Sequence, residues 1–310
     1  MSLRLGLVNL YYRHVERRAL SRAAGPEAIR ARMRRQGDGF LHEPPGTHAN
    51  PCRIPTPDGP LEGCWISHGR ARRDKVILML HGGAYMFGGI PSYRGLAGAV
   101  SKRTGARVLL PDYRLAPEHP FPAAIEDAVA SYRHLLDIGH APEDIALLGD
   151  SAGGGLVLAL LHVVGTDLPY PAAAVTFSPW CDLTLAGESL SRNARREALL
   201  PVERIEEARA FYLGEAAPDD PRASPLFGSF EGAPPVLIQA SCAEVLEDDA
   251  RRMAATLADA GVDVETQFWQ RTPHVWQLLQ GRLPEADVAL DQAAAFLRDH
   301  LGLETDGTTG

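Results

Sequence analysis

A chain of 310 residues, 45% hydrophobic with a formal charge of −8, can bury one large domain with a lid, and its acidity argues against nucleic-acid binding. No apolar run approaches the ~20 residues that span a bilayer, so no stable membrane insertion is expected, and the first residues lack a secretory-signal pattern. Four scattered cysteines, Cys52, Cys64, Cys181 and Cys242, with no C-x-x-C, favour reduced thiols and a cytoplasmic address over a disulfide framework or a zinc site.

Residues 1–36 hold nine arginines against two glutamates. Leu3 to Arg35 has helical spacing, with Leu7, Leu10, Tyr11 and Val15 as apolar positions. Two readings fit: a membrane-surface helix, or a helix packed on the body with a solvated arginine face. The interleaved Arg13, Arg17 and Arg18 favour the second. A loop rich in Gly, Pro and His runs to residue 48. Pro51 to Trp65 then reads as a hairpin turning at Asp58-Gly59.

From there apolar strand-like runs alternate with helical ones. Strand Lys75–Leu80 precedes helix Leu96–Thr104, strand Arg107–Leu110 precedes helix Ala123–Leu136, and strand Asp144–Leu148 precedes helix Ala152–Val164. Strand Ala172–Phe177 follows. The alternation breaks over residues 182–232, which are polar, helical and punctuated by proline. It resumes with strand Pro235–Ala240, helix Leu246–Ala260, strand Val262–Phe268 and helix Glu285–His300, before a frayed tail from Leu303. Such alternation means βαβ units and a mostly parallel sheet covered on both faces. The expected division is N-terminal cap helices over 1–50, an α/β core over 51–181 and 233–302, a cap insertion over 182–232 and a flexible tail over 303–310. The cap would cover the strand ends, where open α/β sheets place ligands.

Gly149-Asp150-Ser151-Ala152-Gly153 lies between an apolar strand and a small-residue helix, the setting of a nucleophile elbow. Its glycines let neighbouring chain pass a strained turn that holds the Ser151 hydroxyl above a helix N-terminus. A serine needs a base, and the base needs an acid. His274 sits in a loop beyond a strand end and suits the base, whereas His300 falls in the last helix and reads as a surface residue. The acid is expected after strand Pro235–Ala240, among Glu244, Glu247, Asp248 and Asp249. Glu244 is nearest the strand end and is preferred, with Asp248 as its rival, because the later three also suit a helix's first turn. His81-Gly82-Gly83-Ala84 follows the first central strand. Gly82 and Gly83, with Ala152, would supply backbone N–H donors to an oxyanion.

These residues resemble the hormone-sensitive-lipase-like, type IV bacterial esterases of the α/β-hydrolase superfamily. The resemblance runs from about Val76 onward. It is carried by His81-Gly82-Gly83-Ala84-Tyr85-Met86-Phe87-Gly88-Gly89, by Asp112-Tyr113-Arg114-Leu115-Ala116-Pro117-Glu118 and by Gly149 to Gly155. Ser178-Pro179-Trp180-Cys181-Asp182-Leu183-Thr184 and Ser224-Pro225-Leu226-Phe227 complete it. It implies an α/β-hydrolase fold, a mostly parallel central sheet flanked by helices with a helical cap. It also implies cofactor-free, metal-free hydrolysis of carboxylic esters with short to medium acyl chains. Ser151 would be the nucleophile, His274 the base, and Gly82, Gly83 and Ala152 the oxyanion hole. Asp150 would brace the site, and Arg114 would pair with Glu118. Where many members read Asp-Pro-Leu this chain reads Glu244-Val245-Leu246, which places Glu244 on the family's catalytic aspartate.

The expected partner is a small-molecule ester, in a pocket drawn from Tyr85, Met86, Phe87, Trp180, Phe211, Tyr212 and Trp276. An exposed sheet edge would allow a homodimer. An acyltransferase or amide hydrolase on the same triad is a rival, since only the acceptor differs. A non-catalytic receptor on this fold is another, and it would ordinarily lack a triad member.

Overall fold

Apolar residues in the central strands face both sides of one sheet. In β3 (Arg72–Leu80), Val76, Leu78 and Leu80 enter one core cluster while Ile77 and Met79 enter another. In β5 (Ile145–Asp150), Ile145 and Leu147 likewise oppose Ala146 and Leu148. This is why these strands read as continuous apolar runs. The computed structural model describes residues 2–32 and 42–303; the expected tail beyond Leu303 and the stretch 33–41 lie outside them.

The first element is α1 (Leu3–Tyr11), which passes through a π-helical turn (Tyr12–Glu16) into α2 (Arg17–Arg22), with α3 over residues 26–32. Next come β1 (Thr47–Ile54), β2 (Leu61–His68), β3, α4 (Ile90–Thr104), β4 (Ala106–Pro111) and α5 (Ala123–Asp137). After β5 come α6 (Ala152–Asp167), β6 (Ala173–Phe177), α7 (Ser189–Arg192), α8 (Val202–Leu213) and β7 (Val236–Ser241). The chain continues through α9 (Glu247–Asp259) and β8 (Val264–Trp269) to α10 (Pro284–His300).

The strands form an eight-stranded sheet in the order β1-β2-β4-β3-β5-β6-β7-β8. β1 and β2 run antiparallel at one edge and β3 to β8 are parallel. Helices α4 and α10 cover one face, and α5, α6 and α9 cover the other. Two expectations shift. β1 begins at Thr47, inside the span read as cap helices, because Thr47 to Pro51 pair with His68 to Cys64. The last strand starts two residues late, at Val264.

The N-terminal helices overturn the expected orientation. Leu5 and Tyr12 face inward, joining Ala198, Trp276, Leu279 and Leu283, while Leu7, Leu10, Tyr11 and Val15 are exposed. The arginines do much of the holding. Arg17 donates to the carbonyl oxygens of Glu197 (2.8 Å) and Ala194 (2.9 Å), and Arg13 to that of Arg196 (3.0 Å). Helical spacing identifies a stripe without saying which way it points. Here carbonyls left over by the irregular segment after α7 draw the Arg17 guanidinium inward and fasten that of Arg13 at the surface.

Candidate active site

The elbow closes because no side chain stands in its way. Ser151 caps α6 at φ 51°, ψ −121°, held by its N–H bond to the Phe177 carbonyl (2.8 Å). A Cβ on Gly149 would lie 2.3 Å from the Gly153 carbonyl oxygen, and one on Gly153 would lie 2.1 Å from that of Leu80. The strain at Ser151 is thus imposed by the packing of β5, α6 and β3.

His274, in the loop after β8, brings Nε2 to 2.9 Å from Ser151 Oγ. Its Nδ1 lies 2.6 Å from Glu244 Oε2, and the other Glu244 oxygen accepts the Ser241 N–H at 2.7 Å. Burial pulls the imidazole pKa down. The Glu244 hydrogen bond and charge, with the Glu197 and Asp150 charges, overcome this and leave it above its ordinary 6.5. Of the two acid candidates, Glu244 is the one within hydrogen-bond distance of His274. Asp248 accepts from Arg192 and from the Ser189 N–H. Glu247 bonds Asn193 and Arg251, and Asp249 accepts the N–H groups of Cys181 and Asp182. His300 stays on α10, bonded to the Phe296 carbonyl.

Gly82 departs from its expected role. Its N–H donates to Asp150 Oδ1 (2.9 Å), and Tyr93 donates to Oδ2 (2.8 Å). Burial pushes the Asp150 carboxyl up to about 6, against these two donors. Gly82 therefore braces the loop and has no N–H to spare. A Cβ there would strike Asp150 Oδ2 at 2.2 Å. The N–H groups of Gly83 and Ala84 have no protein acceptor among the described residues, and both residues line the cavity with Ser151. Ala152, first in α6, has no intrahelical acceptor. His81 stacks on Tyr113 at 4.1 Å and bonds the Gly82 carbonyl through Nδ1 (2.8 Å). Burial lowers its pKa to about 4, so the ring supports the loop as a neutral group.

Two chambers meet at Ser151. One, about 190 Å³, is lined by Tyr12, Glu16, Leu199, His274 and Leu278, among others. The other, about 60 Å³, is almost wholly apolar and is lined by Leu20, Ile29, Met86, Trp180, Ile205 and Leu246. Leu20, Ile29, Ala84, Phe87 and Leu200 border both. Of the expected pocket residues, Met86, Phe87 and Trp180 are there. Tyr85, Phe211, Tyr212 and Trp276 are not. Tyr85 and Tyr212 stack on each other at 3.7 Å within the core, Phe211 packs against that core, and Trp276 is buried against Trp269. Aliphatic residues of the N-terminal helices and of α8 take their place, at positions no local motif marks.

The expected Arg114–Glu118 pair is also absent. Arg114 binds Asp127 and Asp58, while Glu118 takes both amino groups of Arg30 at 2.7 Å. Arg30 was beyond the reach of motif reading, since α3 and Glu118 meet only in the folded chain. Glu197 was missed altogether. It is buried beside the His274–Glu244 pair and accepts the N–H groups of Leu199 (2.7 Å), Leu200 (3.2 Å) and Val245 (3.1 Å).

A family model described as the alpha/beta hydrolase fold matches residues 77–278. An acetyl-hydrolase of Streptomyces hygroscopicus is 44% identical over 234 residues, 75% of this chain and 78% of that protein. An esterase of Acinetobacter venetianus is 37% identical over 229 residues, 73% of this chain and 76% of that protein. A crystal structure of an esterase from the bacterial hormone-sensitive lipase family matches with a TM-score of 0.91 and 39% identity, covering 97% of this chain and 99% of that one.

Proposed function

The chain belongs to the bacterial hormone-sensitive-lipase family of α/β-hydrolases and is a carboxylic ester hydrolase; from that premise we propose that it cleaves short-acyl esters through an acyl-enzyme on Ser151. The carrying observation is the unbroken relay Ser151 Oγ, His274, Glu244, with contacts of 2.9 and 2.6 Å, opening into an apolar chamber.

Ser151 Oγ attacks the ester carbonyl as its proton passes to His274 Nε2, and Glu244 stabilises the imidazolium. The carbonyl oxygen becomes an oxyanion and takes N–H bonds from Gly83, Ala84 and Ala152. Each such donor typically lowers the barrier by about 2.7–4 kcal/mol. Collapse breaks the bond to the leaving oxygen, which takes the proton from His274 as alcohol. Water then adds to the acyl-enzyme, gives its proton to His274, and the acid leaves as Ser151 is reprotonated.

The small chamber is the natural seat of the acyl group and the larger one of the alcohol. An acyl seat of about 60 Å³ favours short chains, in keeping with the acetyl-hydrolase name of the Streptomyces relative. The N-terminal helices and the 182–232 segment act as the cap, since both contribute lining. A cytoplasmic address belongs to the same reading and rests on the four scattered cysteines with no C-x-x-C spacing. A homodimer through the exposed β8 edge also fits this reading, and sedimentation tests it.

The direct test is hydrolysis of p-nitrophenyl esters from acetate to palmitate by the wild type and Ser151→Ala. Short esters should be cleaved fastest, and the variant should lose about 10⁶-fold in kcat. Retained activity in Ser151→Ala would refute the assignment.

A further inference from the structure

The N-terminal helices have two faces of opposite use. Inward, Tyr12, Glu16 and Leu20 line the chambers around Ser151. Outward, Leu3 is 91% exposed, Leu7 68%, Leu10 58%, Val15 43% and Tyr11 37%. Leu3, Leu7 and Leu10 follow one another at helical spacing, so they form a continuous stripe. Single exposed apolar residues are ordinary, but a contiguous row is a contact surface.

The charge beside this row says what kind of contact. Arg4, Arg13, Arg18 and Arg22 are exposed along the same run. Glu16 is the only acid between Ser2 and Arg22, and it is turned inward onto Arg32 at 2.9 Å. The remainder of the chain is acidic, the total being −8. A second copy seated here across a two-fold axis would bring these arginines against their own equivalents. An anionic lipid surface would neutralise them and take up the leucines below its headgroups.

We propose that the outward face of α1 and α2 docks the enzyme on an anionic bilayer. Leu3, Leu7 and Leu10 would enter the interface while Arg18 and Arg22 meet lipid phosphates. Among the described residues no helix is long and apolar enough to cross a membrane, so the attachment is peripheral. Docking would put the inner face of the same helices, and with it the ester-binding chambers, directly behind the lipid surface. The attachment rests on exposure and charge and is independent of the triad assignment.

The test is co-sedimentation of the full chain with vesicles of phosphatidylcholine, alone or mixed with phosphatidylglycerol. The wild type should bind the mixed vesicles and release from them as salt rises. Leu7→Glu/Leu10→Glu should weaken that binding at least about tenfold, and Arg18→Gln/Arg22→Gln by about tenfold. Both variants should hydrolyse a soluble short ester at the wild-type rate, which checks that they are folded. Wild-type protein that ignores anionic vesicles, or binds neutral ones equally well, would overturn the proposal. So would unchanged binding by the leucine variant. A concentration-dependent dimer that Leu7→Glu/Leu10→Glu dissolves would assign the face to a second copy instead.

Discussion

Glu197 joins three parts of the molecule through one side chain. Its carboxylate holds the N–H groups of Leu199 and Leu200, which line the larger chamber, and of Val245, which follows Glu244. Its own carbonyl receives Arg17 at 2.8 Å. In Glu197→Gln the amide nitrogen must replace one carboxylate oxygen, so at least one of these buried N–H groups faces a donor. That costs about 1–3 kcal/mol. A lower denaturant midpoint together with a raised KM is expected, and a change in midpoint alone would limit Glu197 to stability. Glu244 lends itself to a pH measurement. His274 must be neutral to accept the serine proton, so wild-type kcat/KM falls as pH drops through the raised imidazole pKa. In Glu244→Gln the carboxylate no longer opposes burial. The acid limb should move to lower pH while kcat drops by about 10⁴-fold. An unmoved limb would show that Glu244 does not set the imidazole's proton affinity.

At the scale of elements, the turn between β5 and α6 is held by what is missing from it. Gly153→Ala would put a methyl group 2.1 Å from the Leu80 carbonyl oxygen, and neither backbone can retreat without breaking the sheet. The variant should be poorly soluble or melt far below the wild type in a thermal scan. A wild-type melting curve would show that the elbow can open. Local patterning made such elements legible. Strand, G-x-S-x-G and helix occupy adjacent residues, and continuous apolar runs give away strands covered on both sides. The place of Glu244 beside His274 was readable because it stands at a strand end. Contacts between distant segments left no local trace. The Arg30–Glu118 pair, the Leu20 and Ile29 lining and the Gly82–Asp150 bond each join residues that only the fold brings together. The direction of the α1 stripe was misread for the same reason, since the carbonyls that bind Arg13 and Arg17 lie about 180 residues away.

At the scale of the whole molecule, the small chamber is a joint product. Leu20 and Ile29 come from the N-terminal helices, Ile205 from α8, and Trp180 and Leu246 from the core. Its size therefore depends on how these segments sit together, and substrate choice should respond to changes far from the triad. Ile205→Ala would enlarge the chamber without touching Ser151, His274 or Glu244. The fastest ester in the p-nitrophenyl series should lengthen, with kcat on acetate reduced several-fold by looser positioning. An unshifted optimum would place the acyl group in the other chamber.

The same joining sets an order of events during synthesis. The Ser2 N–H and hydroxyl bond the Glu285 carboxylate, 283 residues away, at 2.7 and 2.9 Å, and Leu5 packs with Leu283 and Ala286. The ribosome makes the wall of the chamber first, yet its last attachments wait until α10 has been made. At a bacterial pace of about 5–20 residues per second, the contacts of Ser2 and Leu5 with α10 close many seconds after α1 has been made. A chain cut short before α10 would carry the complete sheet yet lack the Ser2–Glu285 bonds and the packing of Leu5 on Ala286 that fasten α1 over the ester site.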